Sequence, residues 1–63
     1  MIQPDNNGVY RIDEATVWLE QESSIMIRAV TESGDPLELT AEAARDLSVV
    51  LLKLAETLDA FGG

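Results

Sequence analysis

The chain has 63 residues, 12 Asp and Glu against 4 Lys and Arg, a formal net charge of −8, and neither Cys nor His. These bound it to one domain without disulfides or an ordinary zinc site. They argue against binding through nucleic-acid phosphates, which takes cations to displace counterions, and against anionic membrane surfaces. A single core of this length seldom supplies more than about 3–5 kcal/mol. Pairing into a homodimer is therefore the expected source of further stability, and a monomer that folds alone is the alternative.

From the N-terminus, residues 1–8 (Met-Ile-Gln-Pro-Asp-Asn-Asn-Gly) are polar and turn-rich and read as a loose segment ahead of a single domain over 9–63. They have no basic start or apolar run of the kind a signal peptide carries, and the longest apolar run, Val49 to Leu52, is far too short to span a bilayer. The expected compartment is the cytoplasm. Val9 to Asp13 alternates and reads as a short strand or an extended arm.

Ala15 to Glu20 predicts a strand with Val17 and Leu19 on one face and Thr16 and Trp18 on the other. Gln21-Glu22-Ser23-Ser24 is a polar break suited to a hairpin turn, although it lacks an Asn-Gly pair. Ile25 to Thr31 is the strongest strand pattern. Its Ile25, Ile27 and Ala29 point one way, and Met26, Arg28 and Val30 the other. Ser33-Gly34-Asp35-Pro36 is a turn signal, and Leu37-Glu38-Leu39 reads as a short third strand.

The remainder, to Gly63, predicts a helix. Thr40 is its N-cap, Glu42 a favourable charge in the first turn, and Gly62 and Gly63 its stop. The sum is an α+β domain, a three-stranded antiparallel meander followed by one C-terminal helix (βββα). Val17, Leu19, Ile25, Ile27, Leu37 and Leu39 are expected to meet Ala44, Leu47, Val50, Leu51, Leu54 and Leu58 of the helix.

The box Gly34-Asp35-Pro36-Leu37-Glu38-Leu39-Thr40, followed by Ala43-Ala44-x-x-Leu47, resembles the C-terminal half of small bacterial proteins that have no assigned function. In them a G-D-P-hydrophobic-E-L-T box leads from a strand into an Ala/Leu helix. The resemblance covers about half of the chain and implies that fold grammar and no activity.

Residues with chemical potential are few. The four serines have no His or Cys beside which to act as nucleophiles. Asp13-Glu14 is the nearest approach to a carboxylate pair, but neighbours on a strand point to opposite faces. Asp35 with Glu32 or Glu38 lacks calcium-loop spacing, and Gly8 and Gly34 stand too far apart for a phosphate loop. Neither an enzyme nor a bound cofactor or metal is expected.

Two surfaces read as candidate interfaces. Val49 and Leu52 lie roughly 140–160° from Leu47 on a helical wheel, outside the core stripe. The order Arg45, Val49, Leu52, Glu56 is symmetric, as an antiparallel two-fold helix contact requires; two incidentally exposed aliphatics are the plainer reading. Trp18 and Met26 sit on the sheet face that one helix cannot cover, either as an interface anchor or as filling for that face. The expected function is a small acidic protein–protein interaction or regulatory module, homodimeric. An acidic inhibitor or nucleic-acid mimic that occupies the groove of a basic protein is the alternative, with the acidity as solubility the simplest account of all.

Overall fold

A computed structural model describes residues 2–29 and 31–62. Strands β1 (Tyr10–Ile12), β2 (Ala15–Glu20) and β3 (Ser24–Ala29) form one sheet in the order β1-β2-β3, and helix α1 (Ala41–Gly62) follows. Both pairings are antiparallel, so the arrangement is the βββα meander.

The identity of one strand differs from expectation. Leu37-Glu38-Leu39 is not a strand; the third strand is Tyr10–Ile12. Two local reasons account for this. Pro36 brings no N–H to a ladder, and the polar groups of the preceding turn bond to one another. The Thr31 hydroxyl donates to the Asp35 carbonyl at 2.7 Å, and the Gly34 N–H to the Thr31 carbonyl at 3.2 Å. Gly34 has φ +78°, which suits a residue without Cβ. The G-D-P box thus crosses from sheet to helix as an extended connection, and Leu39 packs on the core from it. Tyr10–Ile12 is held instead by a two-residue connection, Asp13-Glu14, that places Ile12 opposite Ala15 and Tyr10 opposite Val17. Asp13 takes φ 54°, a conformation Asp tolerates better than most residues.

The β2–β3 hairpin turns through Gln21 and Glu22, both at positive φ (48° and 60°), with the Ser23 N–H donating to the Glu20 carbonyl at 2.9 Å. Two successive positive φ angles match the right-handed twist of the flanking strands. Thr31, the expected end of this strand, is not in β3; Val30 lies outside the described residues, as does Gly63.

α1 starts on its cap. The Thr40 hydroxyl accepts from the Ala43 N–H at 3.0 Å, and the Thr40 carbonyl from the Ala44 N–H at 2.9 Å. The core is small: Tyr10, Ile12, Ala15, Val17, Ala43, Val50 and Leu54 are buried, with Ile2, Leu19, Ile25, Leu39, Leu47 and Leu51 packed around them. Tyr10 and Ile12 enter it because β1 is a strand.

Two expected core residues are outside. Ala44 is exposed and Ala43 buried, because Ala43, Val50 and Leu54 share one line of the helix and Ala44 falls about 80–120° away from it. Ile27 is 52% exposed although it faces the helix side, opposite Val17. A helix about 10–12 Å across covers roughly two strands spaced about 4.8 Å apart, and β3 is an edge strand. Leu37 and Leu58 are half-buried. At 22 residues the helix is about 33 Å long against about 20 Å for a six-residue strand. Its far end therefore overhangs the sheet, consistent with a 39 Å long axis and an exposed Phe61.

Candidate functional site

The two sheet faces differ in kind. Alternation along β2 turns Ala15, Val17 and Leu19 toward the helix and Thr16, Trp18 and Glu20 away from it. The register then sets the rows on the outer face. Arg11 and Arg28 both pair with Thr16, from β1 and β3 respectively; Trp18 pairs with Met26, and Glu20 with Ser24. Arg11 and Arg28 thus flank Thr16, with Cα atoms roughly 10 Å apart across two strand spacings.

Val9, Arg11, Glu14, Thr16, Trp18 and Arg28 line an open hollow of about 520 Å³ on this face. Trp18 is half-buried, and its indole N–H donates to Glu20 Oε1 at 2.8 Å. That bond fixes the carboxylate beside the ring and leaves its second oxygen available. Met26 is 40% exposed. Two of the chain's four cations therefore stand together on one face of a strongly acidic protein.

Arg11 is steadied from residues 2–9. The Asp5 carboxylate accepts from the Asn7 N–H at 2.8 Å and the Val9 N–H at 3.0 Å, and lies 3.4 Å from Arg11 Nη2. The Asp5 N–H donates to the Val9 carbonyl at 2.9 Å, and Gly8 completes the turn at φ +78°. The Val9 and Asn7 hydrogen bonds, with the Arg11 charge as a lesser cause, hold the Asp5 carboxyl below its usual range. Among the described residues, Arg11–Asp5 is the one ion pair.

The helix ridge carries the other candidate residues. Arg45, Val49, Leu52 and Glu56 are all exposed, Val49 at 55% and Leu52 at 64%. They lie within about 60° of one another on the wheel, opposite the line of Ala43, Val50 and Leu54. The ridge therefore points away from the sheet. It and the Trp18–Met26 face lie on opposite sides of the molecule, and no single contact covers both.

The carboxylates are less scattered than their sequence positions suggest. Asp13, Glu42 and Asp46 line one hollow with Ile2, Ile12 and Thr40; Glu14, Asp35 and Glu38 line another with Thr31 and Ser33. The adjacent residues Asp13 and Glu14 join the two, so six carboxylates gather around the β1–β2 turn and the start of the helix. Asp13 and Glu14 themselves open on different hollows. The Asp35 carboxylate accepts from the Ser33 hydroxyl at 2.8 Å, a turn contact. Among the described residues, no group of three or more His, Cys, Asp or Glu is arranged to hold a metal ion, and no helix is long and apolar enough to cross a membrane.

Arg11, Thr16 and Arg28 were not among the residues expected at a site. The signal for them was present in the Val9–Asp13 alternation, but only pairing that segment with β2 brings Arg11 beside Thr16. Compared with known proteins, the chain matches no family model, no curated protein and no solved structure.

Proposed function

We propose that this chain is a small cytoplasmic protein–protein interaction or regulatory module that works as a homodimer and performs no catalysis. The observation that carries this reading is the ratio of exposed to buried large side chains. Met26, Ile27, Val49, Leu52 and Phe61 stand at 40–64% exposure around a core in which, among the described residues, only Tyr10, Ile12, Val17, Val50 and Leu54 are buried side chains larger than alanine. Single exposed aliphatics are ordinary. Several on separate surfaces of a 63-residue domain without staples are better accounted for by contacts with other chains. Sedimentation equilibrium at tens of micromolar is expected to return twice the 6.9 kDa chain mass. A monomer at that concentration refutes the homodimer.

A second reading has its own support. The six carboxylates around the β1–β2 turn form an acidic end suited to the groove of a basic protein. Salt-sensitive binding of an oligolysine peptide, lost on neutralising Glu14, Glu38 and Glu42, would favour that inhibitor-like role.

A further inference from the structure

We propose that the outer sheet face is a two-fold interface with a second copy of this chain, in which Trp18 meets Trp18 and Glu20 of each copy enters the Arg11–Arg28 hollow of the other. The inference rests on the homodimer reading and assigns its surface. Three rows cross the face in order: Arg11, Thr16 and Arg28; then Trp18 and Met26; then Glu20 and Ser24. The cationic row and the carboxylate lie at equal distances, two residues along β2, on either side of Trp18.

A two-fold axis lying between stacked sheets and running along the Trp18–Met26 row reverses the strand direction and exchanges the outer rows. It leaves β2 over β2. Glu20 of the second copy then stands over Thr16, between two guanidiniums whose Cα atoms are roughly 10 Å apart. Stacked sheets sit about 10 Å apart, within reach of Glu and Arg side chains meeting from both sides. Other two-fold placements lack this match. An axis along the strands lays Arg11 over Arg28 and Glu20 over Glu20, with like charges opposed throughout.

The intrachain features suit the same arrangement. The Trp18 indole N–H holds Glu20 on the outer face, so one carboxylate oxygen is oriented before any partner arrives. Asp5 holds Arg11 in the same way from the far side. The hollow of about 520 Å³ has room for a side chain of the second copy. Glu14, at its rim, comes opposite the β2–β3 turn of the second copy and opposes the contact there, but at an exposed position where solvent screens it. The face is roughly 15 by 20 Å, or roughly 600 Å² over both copies, below the size of standard stable interfaces, so the expected association is a weak one that the charge match orients, with a dissociation constant on the order of tens of micromolar.

Trp18 is the only tryptophan and reports this face directly. Acrylamide quenching of its fluorescence is measured on the full chain from about 1 to 100 µM, alongside sedimentation. Quenching is expected to fall several-fold as the dimer forms. Glu20→Lys, which places an ammonium between two guanidiniums, is expected to raise the dissociation constant at least tenfold. Arg28→Glu is expected to act in the same direction, and the double variant Glu20→Lys with Arg28→Glu to recover most of the loss. A dimer whose Trp18 quenching does not change with concentration overturns the interface and leaves the homodimer standing, with the Val49–Leu52 ridge or the β3 edge as its surface. A chain that stays monomeric overturns both. If a charge variant loses its native circular dichroism, the quenching titration of the unaltered chain decides by itself.

Discussion

Leu54→Ala and Leu52→Ala make the sharpest comparison for the packing argument. The two leucines are two residues apart on one helix, yet Leu54 is 6% exposed and Leu52 64%. Truncating a buried leucine removes its transfer free energy and leaves a cavity, at a cost of about 2–5 kcal/mol. The lower half of that range is expected here, because a core this small lies close to solvent and can partly collapse. Against a total of roughly 3–9 kcal/mol for 63 residues, such a loss removes at least about a fifth of the stability and, at the low end of that total, all of it. With a urea slope of about 1 kcal/mol per molar, the midpoint falls by about 2–3 M. Leu52→Ala in an isolated chain is expected to stay within about 0.5 kcal/mol, since the side chain is already wet and Ala is the better helix former. The assay is urea unfolding followed by helical circular dichroism, repeated at tenfold dilution because dimerisation adds concentration-dependent stability. Equal losses for the two variants at high dilution would refute the assignment of core and ridge. A Leu52→Ala loss that appears only at high concentration would place the ridge, and not the sheet face, in the dimer.

Two further outcomes follow from local geometry. Replacing Gln21-Glu22, both at positive φ, with Asn-Gly is expected to stabilise the hairpin by about 1 kcal/mol, because left-handed backbone costs ordinary residues about that much; an unchanged or lower urea midpoint would contradict the turn assignment. The depressed Asp5 carboxyl contributes stability that is fully present above its unfolded value near 3.8 and is lost as pH falls through the lower folded value. Carbon-detected NMR should therefore find Asp5 titrating below 3.8, and Asp5→Asn should flatten stability over that acid window; a titration at or above 3.8 would refute the turn contacts.

Much of the fold was legible in the residues alone. Period-two alternation located β2 and most of β3, and Thr40 with the Ala43-to-Leu58 spacing located α1, because side-chain periodicity and capping are local properties of the chain. The exposure of Arg45, Val49, Leu52 and Glu56 was legible for the same reason: one helix has one core line, and these four lie opposite it.

Which segment completes the sheet was decided by tertiary structure. Tyr10–Ile12 and Leu37–Leu39 are both three-residue apolar–polar–apolar runs, and the alternation within the runs does not distinguish them. The tight Asp13-Glu14 connection gives the first a partner in β2, while Pro36 and the self-bonded turn before it leave the second without one. That choice also decided the candidate site. Residues 11, 16 and 28 are unrelated as sequence positions, and they become neighbours only because antiparallel register brings three strands' outer rows into line. The gathering of six carboxylates at the β1–β2 turn has the same origin. Periodicity determines which face a side chain takes, but only pairing between distant segments determines which side chains share it.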